Sequence, residues 1–150
     1  MQRTMEDNVD TSHAKSFARH LPTAARVLMG LLFFVSGLNG LLNFLPQPST
    51  PLPEGAVAFA GALMKTGYMM PLIFGTQLIV GALLLVNRFV PLALALLAPF
   101  IVNSLAFHVF LEPSGRPIAV TVLALALYLA WAYRKAYGSI LAMRVTPGAE

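Results

Sequence analysis

Four long apolar runs, over residues 24–45, 69–86, 89–111 and 117–137, fill this chain and leave little outside them. A helix rises about 1.5 Å per residue, so about 20 apolar residues cross the hydrocarbon core of a bilayer. A soluble domain of 150 residues could not bury four such runs and keep a polar surface. Charged residues make up only 11% of the chain, against about 25% in globular proteins. The sequence therefore predicts an all-α membrane protein with four transmembrane helices in an antiparallel bundle. The expected layout is a disordered cytoplasmic tail over 1–22, a membrane domain over 23–138 and a second cytoplasmic tail over 139–150.

The net charge of +4 matters less than its distribution. Four spans put both termini on one side. On that side lie Arg3, Lys15, Arg19, Arg26, Arg88, Arg134, Lys135 and Arg144, and on the other only Lys65 and Arg116. Excess Lys and Arg mark the cytoplasmic face, so both termini are expected there. This asymmetry accounts for the charge, and no nucleic-acid partner is expected. The chain has no cysteine, which removes thiol redox chemistry, thiolate-bound metals and disulfides. The polar stretch before the first run exceeds twenty residues, and that run is longer than a signal-peptide core of about 7–15 residues. It reads as a retained anchor.

Loop chemistry divides the chain further. Leu21-Pro22-Thr23 is expected to open the first helix, with Thr23 as N-cap, and Leu45-Pro46 to close it. Pro46, Pro48, Pro51 and Pro53 mark an external loop. Ala56, Phe59, Ala60, Leu63 and Met64 then recur at helical spacing. Glu54 suits the start of that helix, Lys65 its end and Gly67 its stop. A short external amphipathic helix over 54–66 follows. Asn87-Arg88 makes a tight cytoplasmic turn, and Pro99 removes a hydrogen bond in the middle of the third run. Tyr128, Trp131, Tyr133 and Tyr137 form an interfacial aromatic belt. Gly30, Gly37, Gly40, Gly75 and Gly81 read as positions where helices approach closely.

Polar residues inside the runs are few and lie toward one face of the membrane. They are Ser36, Asn39, Asn43, Thr76, Gln77, Asn103, Ser104, His108 and Thr121. Counted back from the external helix ends, all fall within about 15 Å of the outer surface. Two readings follow. These groups are interhelical hydrogen bonds, each contributing about 1–2 kcal/mol or less. Alternatively they line an outward-facing pocket for a small polar head, the candidate ligand residues being Asn39, Asn43, Gln77, Asn103, Ser104 and His108. His108 is the one ionisable group well inside the runs. A bis-histidine haem would need a second histidine at its depth, and His20 lies at the opposite face. A His–carboxylate metal site is a poor fit because Glu54 and Glu112 are loop residues. No catalytic constellation, metal or haem is expected.

Two stretches carry a family resemblance. Residues 26–44 (RVLMGLLFFVSGLNGLLNF) and 65–115, with Gly75 to Gly81 and Ala98-Pro99 through Asn103 to Phe107-His108, are similar to the DoxX family of small bacterial four-helix membrane proteins. The resemblance extends over about residues 26–137. It implies a place in the bacterial inner membrane and a link to a membrane thiosulfate:quinone oxidoreductase. Many members carry a lysine near Gly40 and an acid near Gln77; both positions are uncharged here. The functional expectation is an accessory subunit that binds a lipophilic small molecule, with a quinone as the class the resemblance implies. Asn39, Gln77, Asn103 and His108 would hold its head, with His108 donating to a carbonyl. The apolar inner half would take a tail, and membrane lipid surrounds the bundle. The alternative is a non-catalytic scaffold or anchor for a partner protein.

Overall fold

The structure is a computed structural model and describes residues 2–46 and 51–138. Every regular element in it is helical: α1 (Gln2–Leu42), α2 (Glu54–Lys65), α3 (Met69–Leu85), α4 (Val90–Phe110) and α5 (Arg116–Ala132), with single 3-10 turns at Pro113–Gly115 and Arg134–Tyr137. Three stretches are long and apolar enough to cross a membrane: His20–Leu42, Val90–Phe110 and Pro113–Ala132. The fourth expected span, α3, has only 17 residues. It counts as a span only together with α2, from which it is bent by 92°. Large apolar side chains stand outward along these helices, among them Leu28, Ile79, Val102, Phe110 and Leu127. That surface belongs in hydrocarbon rather than water.

Two boundaries of α1 differ from expectation. The backbone is helical from Gln2, where an unstructured tail was expected, and Pro22 lies inside the helix rather than at its start. A proline removes one N–H and leaves one carbonyl free, which a long helix can absorb without breaking. Thr23 is therefore a mid-helix residue and not an N-cap. At the other end α1 stops at Leu42, three residues before the expected boundary. Asn43 takes a left-handed conformation with φ 51°, a common way to end a helix. The second tail, 139–150, and Pro48 of the external loop lie outside the described residues.

Packing is most extensive between α1 and α3, and it depends on glycine. A Cβ on Gly37 would lie 2.5 Å from the Leu78 backbone nitrogen, and one on Gly81 would strike the Phe34 backbone. A Cβ on Gly40 would strike the Phe74 ring. Close backbone approach is how helices gain contact in lipid, where hydrophobic burial gives little. Gly75 differs: nothing lies within 4 Å of a Cβ there, so it is not a packing glycine.

The fully packed core lies at one end of the molecule. Met29 and Phe33 of α1, Val80 and Leu84 of α3, Leu94 and Leu97 of α4 and Leu129 of α5 close on one another. Arg26 finishes that end. The residue is 7% exposed, and its guanidinium donates to the carbonyls of Leu84 and Leu85, the latter at 3.2 Å. These are among the last carbonyls of α3, which have no partner within their own helix. On the same side, Tyr137 Oη donates to the Pro91 carbonyl (3.1 Å) and Tyr133 Oη to Asn87 Oδ1 (3.4 Å). Two residues of the expected aromatic belt are thus tied to the turn around Asn87–Phe89, where Asn87 and Phe89 both have positive φ.

At the other end, α2 lies against the close of α4. Ala56 is fully buried and Phe59 packs on Phe107 with ring centroids 5.6 Å apart. Helix α5 contacts α4 more extensively than it contacts α1. The α1–α5 seam is the loosest of the contacts α1–α3, α3–α4, α4–α5 and α1–α5.

Candidate functional site

Beyond the packed core, side chains of α1, α3, α4 and α5 enclose a cleft of about 140 Å³. Its polar lining is Ser36, Gln77, Ser104 and His108; Phe33, Phe100 and Ile101 form its floor. The helical spacing of Ser104 and His108 turns both toward it, as the shared face predicts. Gln77 is 5% exposed, and its Oε1 is fully buried with no hydrogen-bond partner among the described residues. A buried, unpaired amide oxygen costs about 1–3 kcal/mol. Such groups are rare in native structures.

His108 is held from its C-terminal side. Its Nδ1 lies 3.0 Å from the Glu112 carbonyl and 2.9 Å from Glu112 Oε2. Glu112 is 8% exposed and turns back over the end of α4. The same carboxylate caps the 3-10 turn that follows. Oε1 accepts from the Ser114 N–H (3.2 Å) and from Ser114 Oγ, and Oε2 accepts from the Gly115 N–H (3.0 Å). The Ser114 hydroxyl, the two backbone N–H groups and His108 hold the carboxyl below its ordinary pKa. Gly115 is required here, since a Cβ would collide with the His108 ring and the Glu112 carboxylate. Arg116 completes the corner, donating to the carbonyls of His108 (3.1 Å) and Val109 (2.8 Å) at the end of α4.

Of the six residues expected to bind a ligand, the structure brings Gln77, Ser104 and His108 to this cleft. Asn39 and Asn43 are elsewhere and busy with the end of α1. Asn39 Oδ1 accepts from the Leu45 N–H (2.7 Å), and the Asn39 carbonyl accepts from the Asn43 N–H (2.7 Å). Asn103 is exposed and lines an adjacent hollow between α2, α3 and α4 with Phe59 and Phe107, which shares Gln77, Phe100 and Ser104 with the cleft. Thr121 donates to the Pro117 carbonyl (2.8 Å) within its own helix. Glu112, read as an unavailable loop residue, is the main partner of His108; the i, i+4 spacing of the two and the turn-forming Ser114-Gly115 are the signals that could have shown it. Even so, no group of three or more metal-ligating side chains occurs among the described residues.

The cleft is not closed. Leu32, Ile118 and Val122 are shared with an apolar groove of about 280 Å³ along the α1–α5 seam. That groove meets a second one through Leu28 and Leu125, and the second reaches Leu21 and Tyr128. The polar hollow thus adjoins apolar grooves that line the loosest helix contact. Comparison with protein-family models, curated proteins and solved structures finds no match to this chain.

Proposed function

We propose that this chain is a DoxX-like membrane protein, an antiparallel four-helix bundle in the bacterial cytoplasmic membrane with both termini cytoplasmic. In this reading it is an accessory subunit that binds a lipophilic small molecule. The head enters the cleft between Gln77, Ser104 and His108, and the tail lies along the α1–α5 seam. The observation that carries the proposal is a hollow lined by Ser36, Gln77, Ser104 and His108 that adjoins an apolar groove through Leu32, Ile118 and Val122. Ligand sites have this composition: mostly apolar walls with a few convergent polar groups. The family and the quinone class rest on the sequence resemblance, and the orientation rests on the Lys and Arg asymmetry.

A scaffold role is the second reading, and one observation favours it. Asn103 stands exposed on α4, where a partner helix could pair with it. Native mass spectrometry and lipid extraction of the protein purified in mild detergent separate the two. A stoichiometric apolar molecule that is lost in His108→Leu supports the ligand reading. A ligand-free protein carrying a stoichiometric partner chain supports the scaffold.

A further inference from the structure

The cleft fixes the hydrogen-bonding sense of its histidine. Two groups face His108 Nδ1, the Glu112 carbonyl at 3.0 Å and Glu112 Oε2 at 2.9 Å. A backbone carbonyl can only accept. The carboxylate already receives the Ser114 hydroxyl and two backbone N–H groups, so it too acts as an acceptor. Nδ1 must therefore carry the proton. In the neutral imidazole the other nitrogen, Nε2, is then a bare acceptor. Nε2 has no partner among the described residues, and the ring lines the cleft. Gln77 Oε1 also has no partner among the described residues, but it is fully buried behind the cleft wall. A ligand head meeting His108 Nε2 must bring an O–H or N–H of its own. A bare carbonyl would face lone pair against lone pair.

Size narrows the head further. The cleft holds about 140 Å³, and a cavity of about 150 Å³ takes one benzene ring. Phe33 and Phe100, packed edge to face at 5.9 Å, supply an aromatic floor. We infer that the cleft takes a single-ring head through a ring hydroxyl, as in an alkylphenol or a hydroquinone, with Glu112 as the positioning residue that leaves His108 Nε2 to accept. This rests on the ligand cleft proposed above and reverses the donor role expected of His108 from sequence.

Two para-substituted probes differ by that hydrogen alone: para-nonylphenol and its methyl ether, para-nonylanisole. Binding to the full chain in nanodiscs, measured by equilibrium dialysis, should favour the phenol by about tenfold or more. That preference should weaken in Glu112→Gln, whose amide can present either an acceptor or a donor to Nδ1 and leaves the residue 112 carbonyl as the one obligatory acceptor there. Equal binding of both probes to the parent protein overturns the hydroxyl inference and leaves the lipophilic-ligand reading standing. Binding of neither overturns both. If Glu112→Gln does not fold, nitrogen NMR of the parent chain decides instead, with His108→Gln assigning the signal. A neutral His108 protonated on Nδ1 is the expected result, and one protonated on Nε2 contradicts the inference.

Discussion

Gln77 separates a binding pocket from interhelical glue more sharply than any other side chain. A hydrogen-bonding amide that held helices together would be missed; an amide with no partner would not. Gln77→Leu, close in size, should leave stability in detergent unchanged or raise it by about 1–2 kcal/mol, because a buried unsatisfied group is removed, while ligand retention falls. A loss above about 1 kcal/mol in reversible SDS unfolding would make the amide structural. Arg26→Met predicts the opposite sign. It strips donors from the end of α3 and should cost about 1–3 kcal/mol by the same measurement. Glu112 predicts a pH signature. Its folded pKa lies below the ordinary 4.5, so its contribution is present above that pH and is lost as pH falls through the folded value. Acid titration of unfolding should show this decline in the parent protein and not in Glu112→Gln. At this scale the shared face of Ser104 and His108 was legible from their spacing, whereas the engagement of Asn39 and Asn43 at the end of α1 was not. Asn39 and Asn43 were assigned depth from a helix end at Leu45, whereas Asn43 itself ends the helix.

The helices themselves were legible because each run is long and apolar, and the short α2 was legible from its spacing and from Gly67, which takes φ 75°. Their facing was not. A helix bathed in lipid is apolar all round, so periodicity carries no signal for which side meets a neighbour. Gly75 and Gly81 look alike in sequence, six residues apart on one helix. Only Gly81 touches α1. Gly81→Ala should therefore cost about 1–3 kcal/mol, as overpacking against backbone does. Gly75→Ala should be neutral or stabilising by up to about 1 kcal/mol through helix propensity. The two variants unfolded side by side check the α1–α3 interface without reference to any ligand. Glu112 was missed for a different reason. Its role comes from a turn that folds the chain back by four residues, and that geometry depends on Ser114 and Gly115 acting together.

For the whole molecule, the two ends are built differently. One end is an apolar core bordered by the hydrogen bonds of Arg26, Tyr133 and Tyr137, and the other holds a polar cleft that adjoins the α1–α5 seam. Such an arrangement fits a molecule that enters sideways from the bilayer, head first toward one face. Filling the seam should block it: Val122→Trp is expected to abolish retention of the copurifying molecule, and an unfolding midpoint close to the parent's would show that the bundle survives. Because the chain contains no cysteine, one introduced thiol reports on one place. The most direct test is the rate at which Ser104→Cys reacts with a small maleimide in nanodiscs, with Phe110→Cys on the outer surface as the control. Adding para-nonylphenol or para-nonylanisole should slow the reaction at residue 104 severalfold and leave residue 110 unchanged. If neither compound slows residue 104, the cleft is not a ligand site and the polar residues are packing alone.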